Sequence, residues 1–358
     1  MKKKVVVAMS GGVDSSVAAL LLKEQGYEVI GVTMEIWRQE GQEQVEEQGG
    51  CCGLTAVEDA RRVAQMLDIP HYVMNFREEF QRDVVDYFTE EYLRGRTPNP
   101  CIACNRHIKW EALLKRSLDI GADYIATGHY ARVGQLPNGR WAVRNSAATG
   151  KDQTYVLYSL TQEQLSRTLM PAGEYTKEEI RAMAARAGLN VAHKPDSQDL
   201  CFVPDGDYAG FLEREAPDRV PGPGNYVDAQ GNLLGRHRGV THYTVGQGKG
   251  LGIALGRHVY VTELRPETNE VVLGDDCDVY SQTLECNQLN FMGLADLKEP
   301  RRLLAKVRYA HAGAWCTAVQ TGPDTVHVVF EEPVRAIAPG QAVVFYEDEY
   351  VMGGGTIL

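Results

Sequence analysis

Apolar residues recur along the first half of the chain in alternating blocks of two kinds. Val5-Val6-Val7-Ala8-Met9 is a short continuous apolar run, the pattern of a strand buried on both faces, and residues 13–25 follow it with apolar positions at helical spacing. Residues 28–34 give a second strand pattern. Thr55-Ala56-Val57-Glu58 reads as a capping box opening a helix toward Leu67, Pro70 breaks it, and residues 71–75 read as a third strand. Helices are predicted over 78–93 and 104–118, with a short strand at 124–126, and Thr176-Lys177-Glu178-Glu179 is a second capping box whose helix ends at Gly188. This alternation predicts an α/β domain with a mostly parallel, doubly wound sheet. Residues 39–50 interrupt it with a polar, acidic stretch rich in Gln and Gly, read as an excursion rather than an element.

Beyond Cys201 the texture changes. Pro217, Pro221, Pro223 and the glycines at 246, 248, 250, 252 and 256 mark a small, turn-rich domain. From about residue 281 short alternating segments such as 325–330 and 342–346, separated by Gly322-Pro323 and Pro339-Gly340, predict a terminal antiparallel β-barrel. The expected division is 1–205, 206–280 and 281–358. A chain of 358 residues with 44% hydrophobic content has material for several cores. The five-residue apolar run after Lys2-Lys3-Lys4 is too short for a signal segment or a membrane span, so a cytoplasmic location without membrane association is expected. In a reducing compartment the eight cysteines point to metal binding or catalysis rather than disulfides.

The net charge of −11 argues against a nucleic-acid partner until the placement of the charges is considered. Residues 93–110, 232–262 and 300–323 each hold four basic residues and no carboxylate. Such windows read as a footprint for phosphates or, equally, as solvated faces. Candidate chemistry favours the first. Ser10-Gly11-Gly12-Val13-Asp14-Ser15-Ser16 stands where the first strand meets the first helix. Glycines there admit a close backbone approach, and hydroxyls and free N–H groups meet the positive end of the helix dipole, which makes a phosphate cradle. The Gly-Lys-Ser/Thr of the common P-loop is missing. The heptapeptide resembles the pyrophosphate loop of the ATP-pyrophosphatase superfamily, which adenylates substrate oxygens.

Cys101-Ile102-Ala103-Cys104 lies at a helix entry, where the dipole lowers a thiol's pKa, and a further cysteine stands in Asp196-Ser197-Gln198-Asp199-Leu200-Cys201-Phe202. Taken with the loop, with Gly95-Arg96-Thr97-Pro98-Asn99-Pro100, Ala126-Thr127-Gly128-His129-Tyr130, Lys151-Asp152-Gln153 and Gly250-Leu251-Gly252, these segments resemble the bacterial tRNA-specific 2-thiouridylase family over essentially the whole chain. The resemblance implies ATP binding by Ala8, Met9, Ser10, Gly11, Gly12, Val13, Asp14, Ser15, Met34 and Gly128, with Mg²⁺ neutralising the phosphates. It implies catalytic thiols at Cys104 and Cys201, and tRNA contacts at Asn99, His129, Lys151, Asp152, Gln153, Arg308, Tyr309 and Gln341. The implied reaction adenylates the C2 oxygen of the wobble uridine, so that sulfur then displaces AMP.

Two departures stand out. Cys101 occupies a position where many relatives carry aspartate, and Gly246-Gln247-Gly248-Lys249 lacks an arginine that relatives often have. Cys101 leaves two mechanisms open. In one, a sulfur-donor protein, a cysteine desulfurase or a sulfur-relay protein, loads Cys201 with a persulfide and Cys104 resolves the product. In the other, Cys101, Cys104 and Cys201 hold three irons of a [4Fe–4S] cluster whose fourth iron carries sulfide. Cys51-Cys52 reads as ordinary loop thiols in preference to a fourth cluster ligand or a zinc site with Cys101 and Cys104, Cys277, Cys286 and Cys316 as core residues, and His237, His242 and His258 as surface or phosphate-facing groups. The rivals are an adenylating amide ligase, which leaves the cysteines unexplained, another adenylating tRNA thiolase, and a metal-bearing RNA-binding protein without catalysis.

Overall fold

The computed structural model describes residues 2–37, 54–195 and 200–358; the excursion at 39–50, Cys51-Cys52 and Asp196-Ser197-Gln198-Asp199 lie outside the described residues. The chain divides into two compact units, one of Met1–Val84, Cys101–Gly206 and Asp348–Val351, the other of Val85–Pro100, Asp207–Glu347 and Met352–Leu358.

The first unit contains strands β1 (Lys4–Ala8), β2 (Glu28–Glu35), β3 (His71–Asn75) and β4 (Tyr124–Ala126), a hairpin of β5 (Arg132–Gln135) and β6 (Trp141–Arg144), and β7 (Thr168–Leu169). Its sheet runs β3-β2-β1-β4-β7 and is parallel throughout. Val5, Val6 and Val7 are fully buried because β1 is central, flanked by Val29 of β2 and Tyr124 of β4 in register with Val5. Strand order reverses direction between β1 and β4, so the loops leaving these two strands bound the crevice where doubly wound sheets take ligands. Helix α1 (Val13–Glu24) buries Val13, Val17 and Leu21 against this sheet.

Helix α2 (Leu54–Met66) starts one residue before Thr55, which therefore lies inside the first turn rather than capping it. The expected helix at 78–93 is a succession of α3 (Arg77–Phe80), a wide-turned π segment (Gln81–Asp86) and a further α-helical stretch (Tyr87–Leu93). The one expected at 104–118 starts earlier, with Pro100–Ala103, passes through a π segment over Cys104–Leu113 and ends in Leu114–Asp119. Proline's fixed φ and missing N–H suit a first helical position. Helix α4 (Lys177–Arg186) carries the expected capping box: Thr176 Oγ1 accepts from Glu179 N–H, and Glu179 Oε2 accepts from Thr176 N–H.

In the second unit, β8 (Gly224–Val227), β9 (Leu233–His237), β10 (Tyr260–Arg265) and β11 (Glu270–Gly274) form a sheet in the order β10-β11-β8-β9. Its core is Tyr226, Val240, Tyr243, Leu251, Val261 and Val271. Strands β12 (Tyr280–Phe291), β13 (Arg301–Lys306), β14 (Ala314–Gly322), β15 (Thr325–Arg335), β16 (Ala342–Glu347) and β17 (Tyr350–Ile357) follow one another as β12-β15-β14-β13-β16-β17, and pairing of β12 with β17 closes the barrel. Cys286 and Cys316 are core residues of this barrel, and burial pushes both thiols up to about 12. Cys277 is exposed, against expectation.

His237 and His242 are not surface groups either. His237 is 3% exposed, edge-on to Tyr226 and Tyr243, and accepts from Gly239 N–H at Nδ1 (3.0 Å), so its proton sits on Nε2. Desolvation holds both imidazoles below the usual range, with Arg236 and Arg238 adding to it. Above pH 6.5 both histidines are neutral folded or unfolded. Below it the unfolded chain takes up protons more readily than the folded chain, so stability falls as pH drops. Urea unfolding between pH 7.5 and 5.5 is expected to show this loss, and His237→Phe to flatten it; a slope that the substitution leaves unchanged contradicts the assignment.

Candidate active site

The phosphate loop leaves β1 at its carboxyl end, with Met9 N–H bonded to Val32 O (2.8 Å). Met9 and Val13 are buried in the core, so only their backbone faces a ligand. The two glycines differ in what they answer to. Gly11 has φ +69°, and a Cβ there would lie 2.3 Å from Ala56 O of α2, so the fold itself demands glycine. Gly12 has φ −98°, and a Cβ would meet nothing nearer than Ser10 Oγ at 3.4 Å. Protein contacts thus give no reason for glycine at 12, whereas a phosphate lying on this turn does. No side chain caps α1, which leaves its first N–H groups to face such a ligand.

The hydroxyls divide similarly. Ser16 is fully buried and donates to Gly12 O (2.8 Å), which makes it a brace of the turn. Ser15 Oγ accepts from Ser10 N–H (3.2 Å), while Ser10 itself is exposed. Gly11→Ala is expected to cost about 2–4 kcal/mol of stability through left-handed backbone and overlap. Gly12→Ala is expected to leave the melting temperature within a few degrees and to weaken ATP binding by about tenfold or more. Thermal melts and nucleotide titration separate the two; a Gly12→Ala protein that binds ATP normally contradicts the cradle.

Residues far apart in sequence hold the loop. Asp14 accepts from Lys177 Nζ at both oxygens (2.8 and 2.9 Å) and from Tyr130 Oη (2.6 Å), and Lys177 is 8% exposed. Lys194 Nζ reaches Gly11 O (3.2 Å) and Asp59 Oδ2 (2.9 Å), tying the segment that leads toward Cys201 to the loop. Gly128 packs on the first turn of α1: a Cβ there would lie 2.5 Å from Ser15 N. Met34 is half-buried at the carboxyl end of β2, beside Met74 of β3.

Cys101 is exposed in the first helical turn, whereas Cys104 and Cys201 are half-buried. The helix dipole fades beyond its first turn and so acts on Cys101 more than on Cys104. Cys201 sits in a tight turn closed by Val203 N–H to Leu200 O (3.0 Å) and anchored by buried Phe202, whose ring meets Phe80 of α3 (5.8 Å) and Trp37 (6.3 Å). Helix α3 packs against the π segment that begins at Cys104.

That segment also carries a polar chain. Buried Asn105 donates to Val156 O (2.9 Å) and accepts from Lys109 Nζ (2.8 Å), and Lys109 Nζ lies 3.5 Å from His129 Nε2. An ammonium only donates, so His129 Nε2 accepts and its Nδ1–H points to Thr127 Oγ1 (2.7 Å). Desolvation, reinforced by Lys109, holds His129 well below the usual imidazole range, hence neutral.

The other expected RNA contacts fall in two groups. In the first unit Lys151 is exposed, Asp152 accepts from Ser146 N–H (2.9 Å) and Thr154 N–H (3.1 Å), and Gln153 clamps Tyr130 by two bonds of 2.9 Å. Asp152 and Gln153 thus brace the turn beside His129. In the second unit the segment leading to Asn99 is held to the turn before Gln341 by Thr97 N–H to Pro339 O (2.8 Å), while Tyr309 is 47% exposed and Arg308 donates to Arg335 O. The basic windows are partly neutralised from outside: Arg94 and Arg96 pair with Glu91, Arg106 with Glu111, Arg257 with Asp275, Arg301 with Glu347 and Arg302 with Glu331. Among the described residues Lys109, Lys306 and Arg308 meet no carboxylate.

Three family models cover the chain. One described as tRNA methyl transferase HUP domain matches residues 3–205, one described as tRNA methyl transferase PRC-barrel domain 209–275, and one described as Aminomethyltransferase beta-barrel domain 281–357. The tRNA-specific 2-thiouridylase MnmA of Lachnoclostridium phytofermentans is 63% identical over 356 residues, 99% of each chain. This chain belongs to the tRNA-specific 2-thiouridylase family. Its similarity to further 2-thiouridylases is 55% over 99% of this chain and 98% of theirs, for Clostridium perfringens and for Carboxydothermus hydrogenoformans. The switch-point crevice with its phosphate loop lies in the same unit as Cys104 and Cys201.

Proposed function

We propose that this chain adenylates the C2 oxygen of a tRNA wobble uridine with ATP and replaces that oxygen with sulfur carried on Cys201. The observation that carries the reading is a phosphate loop whose Gly12 has no structural reason to be glycine, in the same unit as two half-buried cysteines. A uracil carbonyl has no leaving group. Transfer of AMP to its oxygen, with release of pyrophosphate, supplies one. Mg²⁺ suits this step as an ion carried largely on the phosphates: among the described residues no three His, Cys, Asp or Glu side chains are placed to hold a metal, and Mg²⁺ commonly needs few protein ligands beside phosphate.

In the sulfur step, a donor protein of the cysteine desulfurase or sulfur-relay class leaves a persulfide on Cys201. Its terminal sulfur attacks C2, the C2–O bond breaks and AMP departs. Cys104 thiolate then attacks Cys201 Sγ, the S–S bond to the base breaks, 2-thiouridine is released, and the Cys104–Cys201 disulfide formed is returned to thiols by an external dithiol. The cluster alternative would place Cys101, Cys104 and Cys201 each on its own iron, whereas the persulfide route uses Cys104 and Cys201 and leaves the exposed Cys101 without a role. The proposed domain limits, 1–205, 206–280 and 281–358, are supported by the spans of the three family models.

Purification without oxygen, followed by iron and acid-labile sulfide analysis of the chain and of Cys101→Ala, tests the sulfur route. The expected result is no stoichiometric iron and thiolation by Cys101→Ala within about threefold of the parent. About four irons per chain, lost together with activity on substitution, overturn it.

A further inference from the structure

Lys109 is a half-buried cation of the first unit that the fold and the sulfur chemistry leave unused. It stands in the π segment that starts at Cys104, held by two uncharged neighbours, Asn105 Oδ1 at 2.8 Å and His129 Nε2 at 3.5 Å, and among the described residues it meets no carboxylate. The two lysines that brace the phosphate loop are matched, Lys177 by Asp14 and Lys194 by Asp59. Asn105 is itself fixed by its bond to Val156 O, which holds the Oδ1 that Lys109 donates to. Trp110, 1% exposed, packs its ring 5.7 Å from that of His129 and fixes the imidazole from the other side.

The chain of contacts leads to the phosphate loop. His129 follows Gly128, whose missing Cβ lets the backbone of Ser15 approach to 2.5 Å of where that atom would be. A half-buried ammonium held by two neutral acceptors has one unused N–H direction, an arrangement that favours an anion as third partner. We propose that Lys109, oriented by Asn105 and His129, is a phosphate-oxygen subsite beside the phosphate loop. The proposal rests on the function inferred above. That function brings two phosphates to this place: the α-phosphate of the nucleotide, on which charge grows as AMP leaves, and the backbone phosphate of the uridine being modified. His129 stays uncharged in the folded protein because burial and Lys109 both disfavour its proton, so Lys109 is the only cation of the pair.

The test uses the full chain with α,β-methylene-ATP alone and with tRNA alone, for the parent, Lys109→Met, Lys109→Gln and Lys109→Arg. If the subsite takes the α-phosphate, Met and Gln variants bind the nucleotide about tenfold more weakly and tRNA unchanged. If it takes the RNA phosphate, nucleotide binding is unchanged, tRNA binding weakens, and the slope of log affinity against log salt falls by about 0.7–0.9. In either case Lys109→Arg restores most of the loss. Unchanged binding of both ligands by Lys109→Gln overturns the subsite, as does recovery by Gln of a loss seen in Met, since Gln keeps a hydrogen bond but no charge. A parent protein that binds neither ligand overturns the function itself and the subsite with it.

Discussion

Replacing Cys201 with alanine is expected to lower 2-thiouridine formation by a factor on the order of 10³ or more while tRNA-dependent ATP–pyrophosphate exchange persists. The separation follows from where the two half-reactions reside. In the proposed reaction adenylation draws on the turn after β1, on α1 and on the braces from Lys177 and Lys194. Sulfur transfer draws on Cys201, whose turn is pinned by Phe202 between Phe80 and Trp37, so alanine fits without disturbing the anchor. Cys104→Ala gives a different defect. The terminal sulfur still attacks the adenylated base, but nothing resolves the bond to Cys201, so one equivalent of AMP appears and tRNA stays attached to protein. A small dithiol is expected to release it as thiolated tRNA. Loss of pyrophosphate exchange in Cys201→Ala, in protein that melts normally, contradicts the division of labour.

Lys177→Met carries the second large effect. Lys177 is 8% exposed and its ammonium donates to both oxygens of Asp14, with Tyr130 Oη donating as well. Removing one partner of a buried pair costs about 3–5 kcal/mol; because the Asp14 side chain is 30% exposed and water relieves part of that, about 2–3 kcal/mol is expected here. The substitution also releases Asp14 toward the space where phosphates bind, so nucleotide affinity falls together with stability. Lys177→Met combined with Asp14→Asn removes both charges and is expected to recover most of the stability without recovering nucleotide binding. Chemical denaturation and nucleotide titration of the single and double variants check this. A single variant as stable as the parent contradicts the brace.

Local signals made much of this legible. The run Val5-Val6-Val7 and the glycine turn after it placed the central strand and the phosphate loop, because burial on both faces and close backbone approach leave direct marks on residue type. The Thr176 capping box was legible for the same reason, being complete within four residues. Interactions between distant residues were not. Asp14 and Lys177 stand 163 positions apart, and nothing in either neighbourhood announces the pair. The basic windows misled similarly: Arg302 finds Glu331 across the barrel sheet, outside any window drawn along the chain. His237 and His242 looked polar and scattered, whereas a turn-rich domain buries them among tyrosines for want of larger apolar residues. The wide turns over Cys104–Leu113 escaped notice because a π segment and an α-helix leave nearly the same apolar pattern over ten residues. The start of the helix at Pro100, ahead of the π turns, is what sets Cys104 beyond its first turn.

The central claim is that ATP cleavage at this loop and sulfur delivery from Cys201 are successive steps on one uridine. A single turnover with enzyme carrying a preformed Cys201 persulfide, ATP, Mg²⁺ and unmodified tRNA, and no sulfur donor or reductant, measures it most directly. AMP, pyrophosphate and 2-thiouridine are expected in equal amounts, close to one per active chain, with a Cys104–Cys201 disulfide left behind. AMP and pyrophosphate without 2-thiouridine, or 2-thiouridine formed without ATP, contradict it.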